Sequence, residues 1–462
     1  MELRASHGEL VPSMDASVLR WLHCPFCHGV FSVSLDAQGA GTCAYGVLTC
    51  YCGHYPVVDG IPILKKGVIG TASQTAEEVI ALIRAGQHRE ALLAMIVPPA
   101  PTPTWFRFVP PVMGVWRLQG LVQQRAARVW REQVATVLQE HKGQMTACNL
   151  FDLYFRQSRQ WMDGYAYFAF RFGQPRHLVA LSLTTLVRHP QKPVLDLACG
   201  CGHLTRSLVS QAQGQQVIGV DRNFFLLHVA RHWIAPQAEY VCCEADAALP
   251  FPDGAFATAF CSDAFHYFVN KAIIVRELKR LTRDDGCIVL ATVRNSKVQH
   301  QHACLPLPPE GCQGLFADMA HCLLADSDIL ARYLQKQGPP LARSADLELL
   351  AHEPLLSVVA AHRPEVFQNY GPFEDWPHAE GRLTLNPLFV EETRNGLGNV
   401  QLRRQFPTNF YEEENAECKQ YLPEGVSVNA QVLVDVTSAK RTADVERLIE
   451  RCVVLGLPER YR

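Results

Sequence analysis

The sequence predicts an α/β fold built around a parallel sheet, and three neighbouring features predict it. Val194–Leu197 and Val217–Val220 are short apolar runs of the kind that form buried parallel strands. A glycine-rich loop follows the first run, and an amphipathic helix begins near Leu204. The second run ends in Asp221. A strand, a glycine loop, a helix and a second strand that ends in an acid form a nucleotide-type binding unit at the carboxyl edge of a parallel sheet.

The composition sets the size and class of the protein. A chain of 462 residues predicts two to four domains, and 48% hydrophobic residues are enough for a sizeable core. No apolar run is long enough to span a bilayer, and the N-terminus lacks the apolar stretch of a signal peptide. The 17 cysteines therefore indicate a reducing compartment, and we expect a cytoplasmic protein. A net charge of −2 removes the simplest argument for nucleic-acid binding.

Two close cysteine pairs, about twenty residues apart, predict a metal site in an N-terminal domain over residues 1–68. The expected ligands are Cys24, Cys27, Cys50 and Cys52. The second pair is Cys-x-Cys, a departure from the usual spacing, so other residues are alternative ligands: Cys43, His28 and His54. A closed set of four ligands leaves no position for water, which favours a structural zinc over a catalytic one. A disulfide framework is the alternative, and the expected compartment argues against it.

The segment after the second pair, YPVVDGIPIL over Tyr55–Leu64, supports this interpretation. It resembles the end of the zinc-ribbon family typified by the small activator subunit of tRNA and protein methyltransferases. The resemblance implies a zinc ribbon with a structural zinc ion.

A helical linker region is expected over residues 69–149. Thr75 and Glu78 have the spacing of a capping box, which opens a helix towards Met95. A proline-rich connection follows, and the pattern is helical again over 115–139. Residues 115–192 hold eleven Lys/Arg against four Asp/Glu, which indicates a solvated helical face or, as the alternative, a contact with nucleic acid.

The loop after the first core strand carries the most specific motif. Asp196, Ala198, Gly200 and Gly202 have the spacing of D-x-G-x-G-x-G, with alanine at the first glycine position. The motif resembles motif I of class I S-adenosylmethionine (SAM) methyltransferases, although a glycine-rich turn in an unrelated domain is the alternative. The resemblance implies a Rossmann-like seven-stranded core over residues 150–300. It also implies a set of SAM-binding residues: Asp196, Ala198, Cys199, Gly200, Gly202, Asp221 and Arg222.

Asp221 is expected to accept hydrogen bonds from the ribose hydroxyls, because a carboxylate only accepts.

The sequence downstream continues the same resemblance over about residues 190–295. Ala245, Asp246 and Ala247 follow a predicted strand, where the family places an acid against the adenine amino group. The segment LPFPDGAFA is similar to a sequence segment typical of the family, with Ala257 in place of an acid. A strand ends at Ser262, a further expected cofactor residue, and a helix over 272–281 and a strand over 287–291 follow.

An aromatic segment precedes the motif over residues 150–177. In the resembled family this segment often folds over the cofactor, which implies contacts from Tyr165, Tyr167 and Arg171. The plain alternative is that most of these aromatic residues form core.

Methyl transfer from SAM is an in-line displacement, so the protein mainly positions the two reactants and removes a proton where the acceptor requires it. Asp263 and His266 follow the strand that ends near Ser262 and are the candidate catalytic residues. Histidine has a suitable reference pKa for a base near neutral pH. The alternative is that His266 only packs against the pocket.

Residues 301–462 are expected to form a C-terminal α+β extension that covers the substrate. Two segments, 383–390 and 400–404, could be the last antiparallel hairpin of the core sheet, and Pro387 weakens the first of them. A strand is expected at Val432–Val436 and a helix near 441–455.

Three functions are compatible with these features. The first is a SAM-dependent methyltransferase that acts on a small-molecule or biosynthetic acceptor, which the neutral charge and the long extension favour. The second is an RNA methyltransferase that uses the zinc ribbon and residues 115–192 as its substrate platform. The third is a non-catalytic SAM-binding scaffold that docks a partner protein. The sequence indicates neither the methylated atom nor the oligomeric state.

Overall fold

A mixed β-sheet lies at the centre of the molecule. The computed structural model describes residues 14–37, 42–70, 74–97, 125, 128–138, 144–155, 161–187, 192–246, 248–300, 304–373, 380–394 and 398–462. The N-terminal sheet contains β1 (Met14–Asp15), β2 (Ser32–Ala37), β3 (Thr42–Cys50), β4 (Gly53–Val58) and β5 (Ile61–Leu64). The core sheet contains β6 (Val194–Leu197), β7 (Val217–Asp221), β8 (Glu239–Cys243), β9 (Thr258–Ser262), β10 (Cys287–Arg294), β11 (Ala320–Ala325) and β12 (Leu355–Ala361). The remaining strands are β13 (Arg382–Leu385), β14 (Phe389–Arg394), β15 (Asn399–Arg404), β16 (Gly425–Asn429) and β17 (Val454–Leu457).

Helices lie before, between and after the strands of the core sheet. Those before β6 are α1 (Ala16–Trp21), α2 (Ala76–Arg84), α3 (His88–Ile96), α4 (128–138), α5 (Ala147–Phe155), α6 (Trp161–Ala169) and α7 (Pro175–Leu183). Those of the core are α8 (His203–Gln211), α9 (Phe224–Val229) and α10 (Lys271–Thr282). Those after β10 are α11 (Pro309–Gly314), α12 (Asp326–Leu334), α13 (Leu347–Leu350), α14 (Asn409–Glu414), α15 (Cys418–Tyr421), α16 (Ala430–Thr437) and α17 (Ala443–Glu450). In the part of the chain that is described, none of these helices has the length and apolarity that a bilayer crossing requires.

The strand order of the core creates a crevice at one edge. The order is β8-β7-β6-β9-β10-β12-β11, and the first five strands are parallel. The chain runs from β6 to β7 and β8 on one side, and then to β9 and β10 on the other. The order therefore reverses between β6 and β9, and the carboxyl ends of these two strands border the crevice where open α/β sheets bind ligands.

Two local sequence predictions about helices are confirmed. The Thr75 side chain accepts a hydrogen bond from the Glu78 N–H, and the Glu78 carboxylate accepts one from the Thr75 N–H, so α2 begins with the expected capping box. The helix expected over 272–281 is α10, whose buried side chains recur at helical spacing. Of the helix expected over 115–139, residues 128–138 are helical and 115–124 lie outside the described residues.

The prediction for the last hairpin of the core sheet is wrong. The antiparallel strands at that edge are β12 and β11, which lie past residue 300, the expected end of the core. Segments 383–390 and 400–404 belong instead to two small sheets, β13-β17 and β14-β15-β16. Burial explains the difference. Leu355–Ala361 is buried along almost its whole length, as a strand covered on both faces must be, whereas in Phe389–Arg394 only Phe389 is buried.

The strand predicted at Val432–Val436 is also wrong, because this segment is part of α16. The Asn429 side chain caps the helix by accepting a hydrogen bond of 2.8 Å from the Gln431 N–H. Val432 and Val436 are four residues apart and lie buried on one face of the helix. Burial of this face and the cap outweigh the strand preference of valine.

The N-terminal sheet is continuous with the core sheet. β5 pairs in parallel with β8, which would otherwise be the edge strand of the core. Next to this pairing, Oδ2 of Asp59 lies 2.7 Å from Nδ1 of His228 and 2.7 Å from Nε2 of His232. Asp59 belongs to the turn before β5, His228 belongs to α9, and His232 lies in the helical turn that follows α9. These contacts join the N-terminal sheet to the core.

Candidate functional site

The site is built on the loop between β6 and α8. Asp196 lies inside β6, is buried, and accepts a hydrogen bond of 2.6 Å at Oδ2 from the Thr205 hydroxyl of α8. Burial raises the pKa of Asp196 to about 7, although the bond from Thr205 lowers it. The carboxyl group therefore fixes the end of β6 to the first turn of α8 and holds the intervening loop in place.

The loop itself depends on left-handed backbone conformations. Ala198, Gly200 and Gly202 have φ angles of 58°, 53° and 76°. At Gly202, an added Cβ would lie 2.9 Å from Cβ of Ala230, so that only glycine fits. Ala198 occupies the position where the resembled motif has glycine, and a left-handed alanine costs about 1–2 kcal/mol. At Gly200, no atom lies within 4 Å of an added Cβ, so the loop has open space beside it there.

Asp221, at the end of β7, connects this loop to the next turn. Its Oδ2 accepts a hydrogen bond of 3.0 Å from the Gly200 N–H, and its Oδ1 accepts one of 2.8 Å from the Asn223 N–H. Burial raises the pKa of Asp221, while the bonds from Asn223 and Gly200 oppose that shift. Because each carboxylate oxygen has two lone pairs, each can accept one further hydrogen bond.

The N-terminal sheet reaches the far side of the same crevice. Nζ of Lys65, directly after β5, donates to the Arg222 carbonyl at 3.1 Å and lies 2.9 Å from the Glu244 carboxylate. Arg222 follows Asp221, and Glu244 follows β8. Ala245 and Asp246 come next in the chain, and Ala247 lies outside the described residues. Lys65 thus ties together the two turns that border the predicted adenosine side.

A cavity of about 320 Å³ lies beside the loop. Six residues predicted to bind the cofactor line it: Arg171, Asp196, Ala198, Cys199, Gly200 and Ser262. Asp263 lines it as well, and Tyr167, rather than Tyr165, supplies the tyrosine. Predicted residues that are not part of this lining are Tyr165, Gly202, Asp221, Arg222, Ala245, Asp246 and His266.

Two histidines of the cavity wall, His177 and His203, were not predicted as site residues. Burial lowers the pKa of His177 to about 3 and that of His203 well below its usual value, and nearby arginines lower both further. Both rings are therefore neutral at pH 7. Nε2 of His203 also lies 2.9 Å from the hydroxyl of Tyr461, close to the end of the chain. Nothing in the local sequence signals these contacts, since the partners are distant in the chain.

Asp263 is held in an ion pair. Nη1 of Arg171 donates to its Oδ2 at 2.9 Å, and Nη1 of Arg176 lies 4.0 Å from the same oxygen. Arg171 is also positioned by Gln174 at 3.0 Å and lies 4.8 Å from the centre of the Tyr167 ring. Burial raises the pKa of Asp263, but Arg176 and Arg171 lower it overall. The carboxylate is therefore ionised and a weak proton acceptor, which differs from the setting that a general base requires.

His266 lies three residues later, in the turn Phe265–Tyr267. Its ring is fully buried, and among the described residues neither ring nitrogen has a hydrogen-bond partner. Burial lowers the pKa of His266 to about 4, although Asp263 raises it. The ring is therefore neutral at pH 7 and carries one free nitrogen lone pair.

The four predicted metal ligands lie together, with Cys50 at the end of β3 and the other three in the adjoining turns and loop. Their sulfur atoms are 3.4 Å apart for Cys24 and Cys52, 3.7 Å for Cys27 and Cys50, and 3.6 Å for Cys50 and Cys52. A tetrahedron with zinc–sulfur bonds of about 2.3 Å has sulfur–sulfur edges of about 3.8 Å, so the cluster has the size of a zinc site.

The surroundings of the cluster favour a thiolate at Cys52 but not at Cys50. The Tyr55 hydroxyl lies 3.5 Å from the Cys52 sulfur, and the Phe26 N–H donates to the Cys24 sulfur at 3.4 Å. The bond from Tyr55 lowers the pKa of Cys52 to about 6, whereas burial raises the pKa of Cys50 to about 12. The alternative ligands Cys43, His28 and His54 are not part of the cluster, so the Cys-x-Cys pair brings both of its sulfurs to it.

Comparison with known proteins identifies the central segment. Residues 194–286 match a family model described as a methyltransferase domain. The malonyl-(acyl-carrier protein) O-methyltransferase of Legionella pneumophila is 30% identical over 101 residues, which are 22% of this chain and 36% of that protein. The demethylmenaquinone methyltransferase of Thermus thermophilus is 35% identical over 126 residues, which are 27% of this chain and 52% of that protein. The chain thus spans about a third to a half of these curated relatives.

Among solved structures, the YcgJ protein of Bacillus subtilis aligns with this chain at 19% identity and a TM-score of 0.30. The alignment covers 40% of this chain and 99% of the YcgJ chain.

Proposed function

We propose, on the premise that residues 194–286 form a methyltransferase domain, that this chain transfers the methyl group of SAM to a small-molecule acceptor. The observation that carries the proposal is the cavity beside the glycine loop, at the point where the strand order of the sheet reverses. The relatives are named for organic acceptors, a malonyl group on a carrier protein and a demethylated menaquinone, which supports an organic acceptor here.

The residues of the crevice suit the parts of SAM. We propose that the open space beside Gly200 lets the loop approach the cofactor, and that Asp221 accepts bonds from the ribose hydroxyls through its remaining lone pairs. Asp246 is proposed to meet the adenine amino group, and the cavity by Asp196 and Ser262 to enclose the methionine end.

Bound SAM supplies an electrophilic methyl group on a cationic sulfur. The neutral rings of His177 and His203 present no opposing charge to that sulfur, and Arg171 is neutralised by Asp263. We propose that the cavity wall orients the methyl group by contact and by its lack of net positive charge.

We propose that His266 accepts a hydrogen bond from the acceptor, since its neutral ring has a free lone pair and no competing partner among the described residues. Because burial lowers the pKa of His266 to about 4, it is a weak base, and it orients the acceptor rather than holding its proton at pH 7. Asp263 is proposed as a positioning residue, because Arg171 and Arg176 engage its carboxylate. Its salt bridges keep the turn before His266 fixed.

The basic segment gives little support to RNA as the acceptor. Within 115–192, Arg171 and Arg176 are buried in ion pairs with Asp263 and Glu414, and Lys192 pairs with Asp285. Phosphate contacts require exposed cations. Arg171 and Arg176 are therefore engaged inside the fold, whereas Lys192 pairs at the surface and Arg125 and Arg128 are exposed. The buried pairs reduce the number of cations that the segment offers to phosphate, and the organic acceptors for which the relatives are named favour a small molecule.

We also propose that Cys24, Cys27, Cys50 and Cys52 hold one structural zinc ion. The sulfur–sulfur distances of 3.4–3.7 Å and the closed set of four ligands support this assignment. The ion would stabilise the N-terminal sheet and, through β5, the edge of the core sheet.

The acceptor class can be tested by label partition. The purified chain is incubated with methyl-tritiated SAM and a cell extract, and RNA, protein and small organic compounds are then separated. The proposal predicts label in the small-molecule or carrier-bound fraction, and a Gly200→Ala control should reduce it. Label that a ribonuclease releases would instead assign the chain to RNA.

A further inference from the structure

Unpaired polar atoms are concentrated beyond the carboxyl ends of β9 and β10. Among the described residues, the buried atoms without a hydrogen-bond partner include Nε of Arg176, Nε of Arg294 and both ring nitrogens of His266. All three side chains are at least nine-tenths buried. Such atoms are rare in native proteins, and each one requires a partner such as a ligand or water.

The three side chains belong to one electrostatic neighbourhood. The charges of Arg294 and Arg176 both lower the pKa of His266, beneath the larger effect of burial. Each side chain comes from a different part of the fold: Arg176 from α7, His266 from the turn after β9, and Arg294 from the end of β10. The fold therefore brings three nitrogen-bearing groups to one place although the sequence separates them widely.

The side chains around Arg176, Arg294 and His266 carry more positive than negative charge. Nη2 of Arg176 lies 2.6 Å, and Nη2 of Arg294 2.9 Å, from the same oxygen of Glu414. Arg171 pairs with Asp263. Burial raises the pKa of the neighbouring Asp326 to about 7, with Asp263 raising it and Arg176 lowering it, so this group is only partly ionised at neutral pH. Three guanidinium groups therefore face two fully ionised carboxylates and one partly ionised one among the described residues. His300 adds no charge, because its Nε2–H donates to the Asn295 carbonyl and burial lowers its pKa. Buried charges require partners, so the cluster has room for one more negative group.

The hydrogen-bonding pattern shows how that group would bind. Each guanidinium uses Nη2 for Glu414 and leaves its Nε–H unpaired. Arginine binds oxyanions through parallel N–H groups, and Glu414 shows that the two side chains can share one carboxylate. Glu414 is itself partly accessible, with 11% of its side chain exposed, which marks a side from which solvent reaches the cluster.

The cluster also adjoins the cavity. Asp263 lines the cavity and lies 4.0 Å from Arg176, and His266 is three residues after Asp263. A molecule held by the two arginines would therefore extend past His266 towards the cavity wall.

We propose that the methyl acceptor carries an oxyanion, a carboxylate or a phosphate, that binds the free Nε–H groups of Arg176 and Arg294 beside His266. This inference rests on the proposed methyltransferase function, since it assigns the substrate class of the same site. The oxyanion anchors the acceptor, and the group that is methylated lies at the other end, next to His266 and the cavity.

The test uses malonate, inorganic phosphate and uncharged malonamide as probes, and measures the thermal midpoint of the full chain with each. Wild type should be stabilised by malonate, by phosphate or by both, and not by malonamide, because a ligand of the native state raises the midpoint. Comparing the rise in the midpoint with malonate and with phosphate shows whether the site prefers a carboxylate or a phosphate.

Two variants should change the affinity for the anion in opposite directions, whereas a general loss of packing would lower it in both. Arg294→Gln should weaken binding of the anion by about tenfold to a hundredfold, since it removes a charged hydrogen bond. Glu414→Gln should strengthen it, because it removes the competing negative charge. Absence of any anion-specific stabilisation of wild type would overturn the inference, and so would unchanged anion binding in Arg294→Gln.

Calorimetric titration with SAM separates this inference from the proposed function. Both variants should bind SAM as wild type does, which also shows that they are folded. Failure of wild type to bind SAM would contradict the methyltransferase proposal, whereas SAM binding without anion binding would contradict only the anionic acceptor.

Discussion

The joint between the N-terminal sheet and the core gives a quantitative prediction at Asp59. Its carboxylate is 3% exposed and accepts a hydrogen bond of 2.7 Å from each of His228 and His232 through a single oxygen. Asp59→Asn keeps one oxygen but removes the charge. Hydrogen bonds to a charged group contribute about 1.5–3 kcal/mol each, and those between neutral groups about 1 kcal/mol. We therefore expect the free energy of unfolding to fall by about 2–3 kcal/mol.

The effect should depend on pH. Burial raises the pKa of Asp59, but His232 and His228 lower it overall to well below its usual value. A carboxylate with a lowered pKa stabilises the fold above its unfolded pKa of about 4, and this contribution is lost as the pH falls below that value. Burial lowers the pKa of His228, so both forms also lose stability as the pH falls below about 6.5. Asp59 raises the pKa of His228, and this effect is lost in Asp59→Asn, so the variant should lose more stability than wild type over that range. The difference between the two forms should thus grow from pH 8 to about 5 and shrink below about pH 4.

The assay is urea unfolding followed by circular dichroism at pH 8 and at lower pH, with the slope against urea used to check that the same transition is measured. Asp444→Asn is the control, because Asp444 is an exposed residue whose ion pair among the described residues is with Arg447 on the same helix, and its change should stay within about 0.5 kcal/mol. A loss below about 0.5 kcal/mol for Asp59→Asn would show that the joint does not hold the two sheets together.

Three further predictions concern the cofactor loop and the metal cluster. Asp221→Asn should raise the dissociation constant of SAM by about tenfold to a hundredfold in a calorimetric titration, because charged bonds to the ribose are lost; an unchanged constant would contradict the ribose assignment. Ala198→Gly should raise the free energy of unfolding by about 0.5–1 kcal/mol in urea, since φ is 58° at that position, and a loss of stability would mean that the alanine side chain contributes packing. Cys52→Ser should reduce the zinc content of the purified chain from one ion to none by metal analysis and lower its thermal midpoint, while Cys43→Ser should retain the ion.

Local patterns in the sequence predicted the elements that depend on neighbouring residues. The motif around Asp196 and Gly202 specifies a strand, a tight turn and a helix within ten residues, and the structure forms all three. The four cysteines of the cluster were predicted for the same reason, because each pair lies on one turn.

Features that depend on distant partners could not be predicted in this way. The strands β11 and β12 have no spacing signal and are recognised only by burial on both faces. The helix at Val432–Val436 contains three valines, which prefer strands, and burial of one helix face together with the cap at Asn429 outweighs that preference. Burial against the rest of the molecule thus determines β11 and β12 and contributes to this helix.

The same limit applies to the charged side chains of the site. Asp263 was predicted as a catalytic candidate from its position after a strand, yet its partner Arg171 is 92 residues away. Arg176 and Glu414 are 238 residues apart. A sequence gives the positions of such charges but not their pairing, and the pairing is what distinguishes a base from an ion-pair partner.

The central claim is that SAM binds beside the glycine loop, and an equilibrium titration of the full chain with SAM tests it most directly. Gly200→Ala is the matched variant, because its added Cβ meets no protein atom within 4 Å and would occupy the space assigned to the cofactor. Its φ of 53° costs an alanine about 1–2 kcal/mol, a cost that the same loop already bears at Ala198. The account predicts saturable binding of one SAM per wild-type chain and much weaker binding in a Gly200→Ala chain with the same circular dichroism spectrum. A folded wild-type chain that does not bind SAM, or a Gly200→Ala chain that binds it equally well, would contradict the account.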